Sequence, residues 1–183
     1  MIGRGVARRY ATALFKVGVE DGQAEKYAEE LKAFNDFLES DKEIKFYLVT
    51  PLVERTLQQQ VLNTILEKMV FSEIMQRFLL LLFEKKRLKF VPDILEYYNQ
   101  LLDGYRGICR AKLLSAVPLT EDVMEKIKER LKAVTGKKEV ILEVEERPEL
   151  IGGIITKIGD VIYDGSVRTQ LNILKENIRR GEV

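Results

Sequence analysis

The residues best placed to do chemistry are few. They are the glycine-bearing run Leu150-Ile151-Gly152-Gly153-Ile154-Ile155-Thr156-Lys157-Ile158-Gly159-Asp160, the serine of Gly165-Ser166, and the carboxylates Glu143, Glu145, Glu146 and Glu149. A phosphate loop needs a lysine followed by serine or threonine where a helix begins, and a dinucleotide loop needs its glycines between a strand and a helix. Here the glycines stand among β-branched residues, where they mark turns and bulges. A nucleophilic serine at an elbow needs glycines two residues to either side and a histidine partner. Ser166 has neither, because the chain contains no histidine. That absence also removes the commonest general base and the commonest metal ligand. General acid catalysis needs one carboxyl with a raised pKa, usually from apolar burial, and the four glutamates read as a solvated patch at a strand end. The expectation is a chain with no catalytic residue, cofactor or metal site of its own.

The run Glu84-Lys85-Lys86-Arg87-Leu88-Lys89 could meet phosphate, but no aromatic platform of the kind single-stranded binders use is interleaved with it. Lysine and arginine total 30 against 29 aspartate and glutamate, a formal charge of +1, so no long-range field gathers a polyanion. A KH-like nucleic-acid adaptor is the alternative from another class. Gly136-Lys137-Lys138-Glu139 lacks the second glycine of that module's clamp, and no nucleic-acid partner is expected.

A single cysteine, Cys109, allows no internal disulfide and suits a reducing compartment. Phe78-Leu79-Leu80-Leu81-Leu82-Phe83 is the most apolar stretch, closed off by charges well short of the roughly 20 residues that cross a bilayer. Arg4, Arg8 and Arg9 precede helical alternation instead of a long apolar run, so no secretory signal is read.

The elements that must position these residues follow from periodicity. Val6, Ala7, Tyr10, Ala11, Leu14 and Val17 recur at helical spacing up to Asp21-Gly22. Further stripes run from Ala24 to Leu38, Ile44 to Leu48, Leu57 to Met69, Phe71 to about Lys86 and Phe90 to Tyr105, with Asp41 and Ser72 as caps and Pro92 tolerated near a helix start. After Gly107 the pattern becomes strand-like. Cys109, Ala111, Leu113 and Val117 alternate with polar neighbours, then Thr120 and Gly136 bracket a helix with the stripe Val123, Ile127, Leu131 and Val134. Val140 to Val144, Ile154 to Ile158 and Val161 to Tyr163 supply more strands, and Ser166 caps a last helix carrying Val167, Leu171, Leu174 and Ile178. The expected fold is α+β: a six-helix bundle over 1–105, then a small α/β domain over 106–183 with a mixed sheet and two helices.

Two helices carry more apolar surface than one neighbour layer needs. Phe71, Ile74, Met75, Phe78, Leu79, Leu81 and Leu82 occupy most of the fifth helix's circumference, and Ala13 and Val17 widen the first helix's stripe. Either the fifth helix is central to the bundle, or the two helices together expose a groove for a partner helix.

Three segments resemble one family in register. Ala7-Arg8-Arg9-Tyr10-Ala11-Thr12-Ala13-Leu14-Phe15 is similar to the opening helix of the ATP synthase delta family, which includes the mitochondrial oligomycin sensitivity-conferring protein. Gln76 to Leu88 resembles its fifth helix and following turn, although the family often has an Asn-Gly-like pair where Lys85-Lys86 stands. Pro148-Glu149-Leu150-Ile151-Gly152-Gly153, Ile158-Gly159-Asp160 and Asp164-Gly165-Ser166-Val167-Arg168 resemble its C-terminal signature. The resemblance implies a non-catalytic stator subunit of the peripheral stalk that resists rotary torque, present as a monomeric copy per complex. It also implies contacts with the alpha subunit's N-terminal helix and the C-terminal ends of the b subunits, at the cytoplasmic face of a bacterial inner membrane. The implied alpha site lies between the first and fifth helices, and Tyr10, Ala13, Leu14, Ile74, Phe78 and Leu81 are its candidates by helical face. Gly152, Gly153, Gly159, Asp160, Gly165 and Ser166 are expected to shape turns.

Overall fold

The computed structural model describes residues 2–50, 52–159 and 161–180. Among these, eight α-helices and one four-stranded mixed sheet make an α+β chain. It divides into two compact units, 1–102 and 103–183. No helix among the described residues is long and apolar enough to cross a membrane.

The first unit holds α1 (Ile2–Glu20), α2 (Ala24–Ser40), α3 (Lys42–Val49), α4 (Arg55–Lys68), α5 (Glu73–Glu84) and most of α6 (Val91–Arg106). One buried cluster gathers Ala11 and Leu14 of α1, Tyr27, Leu31 and Phe34 of α2, Leu62 of α4, Met75, Leu79 and Leu82 of α5, and Ile94 and Tyr98 of α6. Local chemistry sets the helix starts. Asp41 accepts from the backbone N–H groups of Glu43 and Ile44, each at 3.0 Å, satisfying donors that a helix start leaves free. Ser72 caps α5 through Met75 N–H at 3.4 Å. Its own N–H and hydroxyl both donate to Glu30 of α2, at 2.9 and 2.6 Å, so one carboxylate braces the cap.

Two buried tyrosines close the core. Tyr27 donates to Asp21 at 2.9 Å and Tyr98 to the Ala24 carbonyl at 2.8 Å. Burial, helped by the Asp21 hydrogen bond, pushes the Tyr27 phenol up to about 12, and burial raises Tyr98 further still. Both are neutral in either state below the ordinary tyrosine value of 10.0. Above it the unfolded chain loses protons that the native state keeps, so stability falls as pH rises. Denaturant midpoints of the first unit should therefore change little between about pH 7 and pH 10 and drop steeply towards about pH 12. Tyr98→Phe should make that drop shallower.

The second unit has sheet order β2-β1-β3-β4, with β1 (Ile108–Ser115), β2 (Glu139–Glu146), β3 (Ile154–Ile158) and β4 (Val161–Asp164). The β1–β2 pair is parallel, joined through α7 (Glu121–Thr135), and the other two pairs are antiparallel. Cys109, Ala111, Leu113 and Ser115 form the buried face of β1. Val117, expected on this strand, lies beyond it and is exposed. The Ser115 hydroxyl donates to the Val117 carbonyl at 2.7 Å and accepts its N–H at 3.4 Å, which turns the chain early. Thr120 precedes α7 without a side-chain cap, leaving Glu121 and Asp122 in the first turn to oppose the helix dipole. Gly136 ends α7 in the left-handed region, and the Lys138 N–H donates to the Gly107 carbonyl at 2.9 Å. The segment expected to fail as a nucleotide clamp is a helix cap and a strand entry.

The helices of this unit cover little. Ile127 and Leu131 of α7 are half-buried, but Val123 and Val134 face solvent. On α8 (Val167–Arg180) the whole expected stripe, Val167, Leu171, Leu174 and Ile178, is exposed.

Candidate partner-binding face

The structure brings part of the α1 and α5 surfaces together. The Tyr10 and Phe78 rings meet edge to face, with centroids 6.2 Å apart, the geometry that aromatic quadrupoles favour. Arg87, in the turn after α5, donates from Nη1 to the Tyr10 hydroxyl at 2.6 Å, and its guanidinium carbon lies 5.1 Å from the Tyr10 ring centre. One arginine thus ties α1 to the end of α5 by a hydrogen bond and a cation–π contact.

The six candidates do not share one environment. Leu14 and Phe78 are buried, Tyr10 and Ile74 are half-buried and packed on the same cluster, and Ala13 and Leu81 face solvent. Most of the apparent surplus on α5 is core: Met75, Phe78, Leu79, Leu82 and Phe83 are all buried. What remains available is Leu81, with 40% of its surface exposed, flanked by the partly covered Ile74 and Leu80. Core helices bury more than one face, and periodicity does not say how many neighbours a helix has. Arg87 was legible only as one cation in a basic run. Its aromatic partner lies 77 positions away, and no local pattern reports that distance.

In the second unit the signature residues build a turn. The Asp164 carboxylate accepts from the Ser166 N–H and the Thr169 hydroxyl, each at 2.8 Å, and the Ser166 hydroxyl accepts the Thr169 N–H at 3.3 Å. The Ser166 hydrogen bonds, with that of Thr169, hold the Asp164 carboxyl below its ordinary value. Ser166 is therefore a buried helix cap. A Cβ on Gly153 would stand 2.3 Å from the Gly165 carbonyl oxygen, one on Gly165 3.2 Å from the Ile154 oxygen, and one on Gly152 3.1 Å from a Val167 methyl. Gly159 lies between β3 and β4 with φ +56°, while Asp160 lies outside the described residues. Of the glutamates, Glu145 bridges Lys112 and Arg147, which lower its pKa, the reverse of what a general acid needs. Burial raises the Cys109 thiol, which disfavours the reactive thiolate.

The family pattern described as ATP synthase delta (OSCP) subunit matches residues 6–178. The chain belongs to this family. The ATP synthase subunit delta of Desulfosudis oleivorans is 44% identical over 177 residues, covering 97% of this chain and 96% of that protein. The protein of the same name from Desulfatibacillum aliphaticivorans is 45% identical with the same coverage. A chain in the mitochondrial ATP synthase hexamer of Toxoplasma gondii shares the fold at a TM-score of 0.71 and 20% identity, covering 94% of this chain and 96% of that one.

Membership of the ATP synthase delta family gives Lys86 a physical reading. Lys86 has φ +56°, a left-handed conformation that costs a side-chain-bearing residue about 1–2 kcal/mol and glycine nothing, so an Asn-Gly-like pair suits this turn. Lys86→Gly should raise the stability of the first unit by about 0.5–1 kcal/mol, after subtracting glycine's greater entropy loss. Urea denaturation of the two chains measures it.

Proposed function

We propose that the chain is the non-catalytic stator subunit of an F-type proton-translocating ATP synthase. It links the catalytic head to the b subunits, so that rotary torque is resisted and proton flow is coupled to ATP synthesis. The observation that carries this reading is the family match, which runs through nearly all of both units. In this reading the first unit works as a six-helix bundle over about residues 1–105. Its α1–α5 face receives the alpha subunit's N-terminal helix, with Ala13 and Leu81 making direct contact, Tyr10 and Ile74 at the edge, and Leu14 and Phe78 as the supporting floor. Helix-in-groove docking rests on apolar anchors at helical spacing, and these exposures supply them. The C-terminal domain, over about residues 106–183, takes the b subunit ends. The open stripe Leu171, Leu174 and Ile178 supports this, because an amphipathic helix left uncovered has apolar area to bury. Gly152, Gly153, Gly159, Asp160, Gly165 and Ser166 act as turn formers. One copy serves each complex, at the cytoplasmic face of the inner membrane and peripheral to it.

Native affinity purification of the tagged chain tests this directly. Alpha and b subunits are expected among the co-purifying proteins. Recovery of the tagged chain without alpha and b subunits, or with nucleic acid in their place, would overturn it.

A further inference from the structure

The basic run after α5 belongs to a pocket that the α1–α5 face does not use. The pocket has a volume of about 310 Å³ and lies where the end of α3, the start of α4 and the turn after α5 meet. Its floor is apolar: Leu48, Phe83 and Leu88 line it and are each buried. Arg55, Lys86 and Lys89 also line it, all three exposed, and among the described residues no aspartate or glutamate does. Among the described residues these cations enter no ion pair. Small-molecule sites of this size combine an apolar lining with a few charged groups that orient the ligand.

The walls are held in place from behind. The buried Gln58 amide donates to the Tyr47 and Thr50 carbonyls, at 2.8 and 2.7 Å, which braces the segment leaving α3. The carbonyls that end α5 are already engaged: Leu82 accepts the Arg87 N–H at 2.7 Å, Phe83 the Lys86 N–H at 2.9 Å, and Glu84 the Arg55 guanidinium at 3.4 Å. Arg55 spends one of its five N–H groups on that bond and Lys89 lies over the Phe90 ring, 5.1 Å from its centre, which leaves both with donors free for an anion.

We propose that this pocket binds a small amphiphile with one anionic head, carboxylate or phosphate, on an apolar body. The head meets Arg55, Lys86 and Lys89, and the body lies on Leu48, Phe83 and Leu88. Charge-assisted hydrogen bonds to the head and burial of the tail both contribute, so neither a bare anion nor a neutral chain recovers the affinity. This site is independent of the alpha and b contacts proposed above.

The test titrates the full chain with decanoate, decyl phosphate, decanol and inorganic phosphate, each below micelle-forming concentration, and follows backbone amide and methyl NMR signals. At least one anionic amphiphile should saturate the protein, with the largest shifts at Leu48, Val49 and Leu88, and bind at least about tenfold more tightly than decanol or phosphate. Lys86→Gly, which relieves backbone strain and so stays folded, should weaken binding by about tenfold, and Lys89→Glu should act in the same direction. The proposal is overturned by equal binding of decanol or of inorganic phosphate. It is also overturned by the absence of saturation with either amphiphile, by shifts centred elsewhere, or by unchanged affinity in both folded variants.

Discussion

Ala13→Glu and Leu81→Glu should each reduce affinity for a peptide spanning the alpha subunit's N-terminal helix by roughly a hundredfold, while leaving the melting temperature within a degree or two of the parent's. Both side chains face solvent in the free protein, so a carboxylate there is hydrated and costs the fold little. In the docked state the same carboxylate would be desolvated against an apolar helix without a partner charge, which is strongly unfavourable. Phe78→Glu is a poor probe, because Phe78 is buried in the core and a charge there would unfold the first unit before any binding was measured. Calorimetric titration with circular dichroism of the same samples separates the two effects. Normal binding by both folded variants would remove the α1–α5 face from the function.

Gly153→Ala should destabilise the second unit by more than about 3 kcal/mol, combining the cost of a left-handed side-chain-bearing residue with that of overpacking. Its φ is +80° and the added methyl would stand 2.3 Å from the Gly165 carbonyl oxygen and 3.0 Å from the Ser166 Cα. These are backbone atoms that cannot step aside. The Gly165 N–H donates to the Ile154 carbonyl and the Val167 N–H to the Gly152 carbonyl, each at 3.0 Å. Pushing the two segments apart would break both, and with them the start of α8. Gly104→Ala is the matched control. Gly104 sits in α6 with nothing within 4 Å of the added carbon and no positive φ, so alanine should stabilise by about 0.5–1 kcal/mol. Hydrogen exchange resolved by segment should show the Gly153 loss confined to the β3–α8 region and β1. Wild-type protection there would show that the close approach is not structural.

Much of this molecule is written in short-range chemistry. Asp41, Ser72 and Ser166 cap the helices they precede because a cap needs only a side-chain oxygen within three residues of a free N–H. Gly136 ends α7 for an equally local reason, and the alternation of Cys109, Ala111 and Leu113 names the covered face of β1. The absence of histidine and of a phosphate loop is likewise readable one residue at a time.

Coverage is a different matter, because it depends on what arrives from elsewhere in the chain. Two amphipathic stripes of similar quality end in opposite states: the α2 stripe of Tyr27, Leu31, Phe34 and Leu38 is buried, while the α8 stripe is open. Hydrophobic period says which side of a helix prefers to leave water, and nothing about whether a neighbour is there to receive it. The α5 surface shows the same limit from the other side, since nearly all of what looked like surplus is consumed by the core and Leu81 is left. The contacts of Tyr10 with Phe78 and Arg87, and of Glu30 with Ser72, join residues 42 to 77 positions apart. Sequence alone thus determined the elements and most of their caps, set by interactions within a few residues. Tertiary packing alone decided which apolar faces remain for partners, because burial is a property of pairs of elements and not of either one.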